Sequence, residues 1–144
     1  MSIIARGTDI VKSYKVGEVV STILRGTNFE IDSDEFVVIL GPSGSGKSTL
    51  LNILGGIERA DSGTLTFKGE VIDWTKKSSL TDYRRKHIGF VFQFYNLLPG
   101  LNVLENVQLA AELGTEPLDA VELLSAVGLG DKLYSYPSAL SGGQ

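Results

Sequence analysis

The run Gly41-Pro42-Ser43-Gly44-Ser45-Gly46-Lys47-Ser48-Thr49 has the residue types and spacing of a phosphate cradle, G-x-x-x-x-G-K-[ST]. Without a Cβ, Gly41, Gly44 and Gly46 let the backbone take positive φ and come close to a ligand. Consecutive backbone N–H groups of the loop, those of Ser43 and Ser45 included, can then point inward as an anion nest. A helix starting near Lys47 adds about +0.5 charge at the same point. Lys47 offers a mobile positive charge to the β- and γ-phosphates, Ser48 a hydroxyl ligand to Mg²⁺, and Thr49 a further hydroxyl. The pattern is a complete Walker A motif, and it predicts a nucleoside triphosphate with Mg²⁺. By itself it does not separate ATPase, GTPase and kinase.

The elements that must position this loop are legible around it. The apolar run 36–40 predicts a buried strand leading in, and Leu50, Ile53, Leu54 and Ile57 give the following helix one apolar face. Gly55 and Gly56 stand near its end. Residues 3–14 and 22–31 read as antiparallel strands joined by a turn at 15–18, and 64–67 as a short strand after the turn 61–63. Ser78 to Lys86 predicts a helix, and 88–92 a second buried strand ending at Gln93. Asn102 with Glu105 resembles a capping box, and Thr115 with Pro117 is expected to start one more helix, stopped at Gly128.

Composition bounds the rest. At 144 residues with 42% hydrophobic content and 17 glycines, the chain reads as one α/β domain. A formal net charge of -4 argues against a nucleic-acid partner, which asks for a basic face. There is no cysteine, so no disulfide or thiolate-metal framework is available. The N-terminus shows no signal-peptide pattern and no stretch approaches a membrane span, which predicts a cytoplasmic location. His87 and Arg84-Arg85-Lys86 read as the solvated end of a helix, and Trp74 as a packing residue.

The chain's last five residues, Leu140-Ser141-Gly142-Gly143-Gln144, read LSGGQ. Following a Walker A motif and a strand-terminal glutamine in this order, the string is highly specific. The chain resembles the ATP-binding cassette (ABC) ATPases over residues 1–144, in particular the macrolide-exporter and lipoprotein-release branch, through 41–49 and 88–99. The resemblance implies an ABC-type P-loop NTPase fold. An antiparallel β subdomain and P-loop core would occupy 1–93, and part of a helical subdomain 94–144.

It also implies roles for single residues. Tyr14 matches the aromatic that stacks on adenine, and Gln93 the glutamine whose side chain meets Mg²⁺ and the attacking water. Lys47 and Gln93 are the candidate catalytic residues, with Ser48 and Gln93 as metal ligands. Ser141, Gly142 and Gly143 match the signature motif, which serves the nucleotide of a second ATPase subunit in a head-to-tail dimer. The implied cofactors are ATP and Mg²⁺. The further partner is a transmembrane permease, with the ATPase peripheral on the inner face of the membrane.

The family pattern continues beyond LSGGQ with a Walker B strand ending in Asp-Glu, a D-loop and a switch histidine. None has a match in these residues, so the expectation is a chain cut before Walker B and inactive by itself. The alternative is a non-catalytic module that holds a nucleotide or a partner without turnover. A small P-loop kinase would carry an acceptor lid in place of LSGGQ.

Overall fold

A computed structural model describes residues 2–144. The chain divides into two compact units, one running through Ile88 and the other spanning Gly89–Gln144.

The first unit is built on a four-stranded antiparallel sheet. Strands β1 (Ile3–Val16) and β2 (Val19–Asp32) form a long hairpin, and β3 (Ser62–Phe67) and β4 (Glu70–Val71) a shorter one. The spatial order is β2-β1-β3-β4. Gly17, at φ 62°, turns the long hairpin between Val16 and Val19. Helix α1 (Lys47–Leu54) and helix α2 (Lys77–His87) complete the unit.

Two apolar clusters hold these elements together. Ile10, Leu24 and Ile53 join the long hairpin to α1, while Leu65, Ile72, Leu80 and Tyr83 join the short hairpin to α2. Trp74 and Phe29 pack against both clusters, which fulfils the packing role expected of Trp74. Leu65 is fully buried, so Leu65→Ala should cost about 2–5 kcal/mol of unfolding free energy. A denaturant titration showing less than about 1 kcal/mol would contradict that placement.

Two expectations about helix α2 are refined. His87 is exposed in the last turn, and one side of its ring rests on Phe67 at 4.9 Å between centroids. Arg84 is only partly solvated: its guanidinium donates to the Gly56 carbonyl at 2.7 Å. Tyr83 donates its hydroxyl to the Leu54 carbonyl at 2.8 Å, and burial pushes the phenol up to about 12.

The apolar runs 36–40 and 88–92 are not strands. Both run outside the sheet, with Phe36 90% and Val91 97% exposed. A strand exists only against a partner, since its N–H and C=O groups bond across a ladder. No strand among the described residues pairs with either run.

The second unit carries helix α3 (Val103–Ala111) and helix α4 (Ala120–Ala126). The capping box is formed in both directions: Glu105 N–H donates to Asn102 Oδ1 at 2.9 Å, and Asn102 N–H to Glu105 Oε2 at 2.8 Å. Helix α4 starts later than expected. Asp119, not Thr115, caps it, accepting from the N–H groups of Val121 and Glu122 at 2.9 Å each.

Candidate nucleotide site

The glycine loop meets α1 at Gly46, which sits at φ 93° with no side chain capping the helix. A Cβ there would lie 2.9 Å from Ile23 Cγ2 and 3.0 Å from Leu24 Cδ2, so a larger residue at position 46 is disfavoured both by crowding and by the positive φ. The first N–H groups of a helix have no intrahelical partner, and with no side chain capping α1 they suit an anion. Lys47 folds back across the loop, its ammonium donating to the Gly41 carbonyl at 2.9 Å and the Pro42 carbonyl at 2.7 Å. The lysine therefore braces the cradle and presents its charge to the same space.

Tyr14, Ile23, Gly44, Gly46, Lys47, Ser48 and Thr49 line one hollow of about 230 Å³. That is below the range of about 300–1,000 Å³ usual for small-molecule sites. It matches a cradle that grips part of a nucleotide and leaves the remainder open. The residues present fit a triphosphate: an uncapped helix start, one ammonium and two hydroxyls. They supply less for a divalent cation. Ser48 offers its hydroxyl, and no group of three or more His, Cys, Asp or Glu among the described residues could hold a metal ion.

Tyr14 reaches the cradle from β1. Its hydroxyl donates to Glu58 Oε2 at 2.7 Å and lies 3.5 Å from Thr49 Oγ1. Partial desolvation raises its pKa above the ordinary tyrosine value, opposed by the Thr49 contact and reinforced by the Glu58 carboxylate. Lys12 Nζ stands over the ring, 5.3 Å from its centroid. The sequence pattern singled out Tyr14 but carried no signal for Lys12 or Glu58.

In the second unit Gln93 is exposed in a turn closed by Tyr95 N–H to Phe92 C=O at 3.1 Å. Its side chain makes no hydrogen bond among the described residues. Tyr95 and Asn96 follow with φ 60° and 53°. Asparagine tolerates the left-handed region; for tyrosine it costs about 1–2 kcal/mol. Asn106 anchors the next loop, its side chain bonding both the N–H and the C=O of Leu98 at 2.8 and 3.2 Å.

The signature residues close on themselves. Ser141 N–H donates to Gln144 Oε1 and Gln144 N–H to the Ser141 carbonyl, both at 3.0 Å. The two bonds close a turn over residues 141–144. Ser141 and Gly142 line a cavity of about 500 Å³ with Phe90, Phe92, Phe94 and Tyr95, while Gly143 lies outside its walls. No helix among the described residues is long and apolar enough to cross a membrane.

The ABC transporter family profile matches residues 24–144. The chain is 48% identical to an uncharacterized ABC transporter ATP-binding protein of Thermotoga maritima, over 94% of this chain and 60% of that protein. It is 42% identical to the lipoprotein-releasing system ATP-binding protein LolD of Cytophaga hutchinsonii, over the whole of this chain and 66% of that one. With the macrolide export ATP-binding/permease protein MacB of Marinobacter nauticus it shares 44% identity, over 94% of this chain and 22% of that protein. Among solved structures it superposes on the dimeric ATP-binding cassette MJ0796 bound to ADP and Pi with a TM-score of 0.86 and 37% identity, covering 98% of this chain and 65% of that one. The chain thus spans about three fifths to two thirds of the length of its single-cassette relatives.

Proposed function

This chain belongs to the ABC transporter family, and from that premise we propose that it holds ATP with Mg²⁺ for a transporter ATPase that drives export or release of a substrate through a membrane permease. The observation that carries the reading is the cradle at the start of α1, braced by Lys47 and sharing one hollow with Tyr14. Loop N–H groups and Lys47 bind the phosphates, and Ser48 presents a hydroxyl to the metal. Tyr14 stacks on the base and Gln93 orients water at the metal. Residues 1–93 serve as the β subdomain with the P-loop core, and 94–144 as part of the helical subdomain.

Ser141, Gly142 and Gly143 act on the nucleotide of a second ATPase subunit. A dimeric cassette among the similar structures supports that partner. Through the permease the assembly sits on the inner face of the cell membrane. The loss of nucleotide binding on substitution of Lys47, argued in the Discussion, tests the core of this reading.

The permease contact is assigned to the loop after Gln93. Phe94 is 82% exposed and Tyr95 63%, with Leu97 and Leu98 also exposed. A contiguous apolar patch of this kind marks an interface. The left-handed pair Tyr95-Asn96 and the Asn106 anchor give the loop a defined shape. Leu97→Glu or Leu98→Glu in the full transporter should leave ATP affinity within about twofold and reduce transport at least tenfold, since burying an unpaired charge costs several kcal/mol. Transport at the wild-type rate would rule out the docking role.

A second reading, that these residues hold nucleotide without turning it over, rests on the lack among the described residues of any group of three or more His, Cys, Asp or Glu that could hold a metal ion. The two readings agree on binding and differ on phosphate release.

A further inference from the structure

Helix α1 ends in a reversal that returns the chain to the nucleotide hollow. Gly56 takes φ 68°, and the N–H groups of Ile57 and Glu58 both donate to the Asn52 carbonyl, at 2.8 and 3.1 Å. The turn after it is tied to β1 at several points. Asp61 N–H donates to the Val11 carbonyl at 2.8 Å, and Ser13 N–H donates to Asp61 Oδ2 at 2.6 Å. Lys12 donates to the Arg59 carbonyl at 2.8 Å and pairs with Glu58 at 3.2 Å and Asp61 at 3.6 Å. The Lys12 and Glu58 side chains are only 13% and 23% exposed, so this pair is better shielded than a surface ion pair.

The second oxygen of Glu58 accepts the Tyr14 hydroxyl at 2.7 Å. Lys12 also stands over the Tyr14 ring. An aromatic side chain on a strand end can turn about two torsions. Here its tip is pinned by a carboxylate and one face is taken by a cation, which leaves the other face for a ligand.

We propose that Glu58, itself held by Lys12, is a positioning residue that fixes the Tyr14 ring as a platform for the base of the bound nucleotide. The inference rests on the base-stacking reading of Tyr14. One helix then sets the geometry of the whole site, since α1 begins at the phosphate cradle and its exit turn supplies the clamp on the base platform. Preorganising the ring removes an ordering cost from binding. The clamp acts on affinity for the base, through the Tyr14 ring.

Electrostatics gives this proposal a sign that a general disturbance would not share. Glu58 is an anion near a polyanion's site, so removing its charge should tighten a polyphosphate or leave it unchanged. Losing the clamp should weaken only a ligand that has a base. The experiment titrates the full chain with Mg-ATP and, separately, with Mg-tripolyphosphate.

Glu58→Ala is expected to weaken Mg-ATP about three- to tenfold, on the scale of one ordinary intramolecular hydrogen bond, with tripolyphosphate binding undiminished. Glu58→Gln keeps an acceptor for the Tyr14 hydroxyl and should restore most of the ATP affinity. Tyr14→Phe, which removes only the donor, should match Glu58→Ala, and the double variant should be no weaker than either single one. Equal weakening of both ligands, additive losses in the double variant, or wild-type ATP affinity in Tyr14→Phe would each overturn the clamp. Tyr14→Ala separates the levels. If it binds Mg-ATP as the wild type does, the stacking reading itself falls. If it alone weakens ATP while Glu58→Ala does not, only the clamp is lost.

Discussion

Alanine at position 47 should reduce Mg-ATP affinity by about 30-fold or more, because truncating one partner of a charge-assisted contact costs about 2–5 kcal/mol. The structure gives this loss two sources. The ammonium donates to the Gly41 and Pro42 carbonyls, so its removal loosens the loop that must present N–H groups to the phosphates. It also removes the cationic group of the hollow that Lys47 shares with Ser48 and Thr49. Arginine should not rescue the site. A planar guanidinium is a poor replacement for a compact ammonium seated between two carbonyls 2.7 and 2.9 Å away. The fold should survive, because the core of this unit is Ile10, Leu24, Ile53 and the Leu65 cluster, none of which touches the lysine ammonium. Calorimetric titration of the wild type and Lys47→Ala, with thermal melts as a control, measures the effect. Equal ATP affinities in two equally folded proteins would remove the cradle from the mechanism.

What could be read from the sequence was local. The long hairpin follows from two β-rich runs around a Gly17 turn, and α1 from its apolar face and glycine-loop start. The capping box at Asn102 and Glu105 is a four-residue pattern and closes as expected. The late start of α4 shows a competition between cap candidates. Thr115 and Pro117 looked like a start, but the Asp119 carboxylate accepts two helix N–H groups and sets the boundary.

The failures were non-local. Runs 36–40 and 88–92 have strand composition, but composition supplies no partner, and neither run joins the sheet. In the site, Walker A was legible because its chemistry is contiguous. Glu58 was not: it lies 44 positions from Tyr14, and only the reversal at Gly56 brings the two within a hydrogen bond. Nor does the sequence show that Gln144 would take the Ser141 N–H for itself.

The polypeptide of residues 1–144 should release phosphate no faster than its own Lys47→Ala variant. Phosphoryl transfer needs the phosphates held, the metal anchored and a water positioned and deprotonated. The cradle meets the first need. For the second, Ser48 is a single hydroxyl, and no carboxylate cluster among the described residues could complete a metal shell. For the third, Gln93 stands in an exposed turn with no side-chain hydrogen bond among the described residues to fix it. Small errors of placement are costly in rate. A missing general base alone lowers the rate by about 10²–10⁴-fold. The signature residues add nothing in trans while Ser141 N–H is tied to Gln144, since that donor is then unavailable to a phosphate on a second subunit. These deficits act on different requirements, so they compound. Supplying the Walker B strand with its Asp-Glu pair and the switch histidine in the same chain should restore turnover, and Lys47→Ala should abolish it again. Sustained, Lys47-dependent phosphate release by residues 1–144 alone would mean that another acidic residue of this chain serves as the base. Glu58 would then be the first to test, as the carboxylate bonded to Tyr14, which lines the nucleotide hollow.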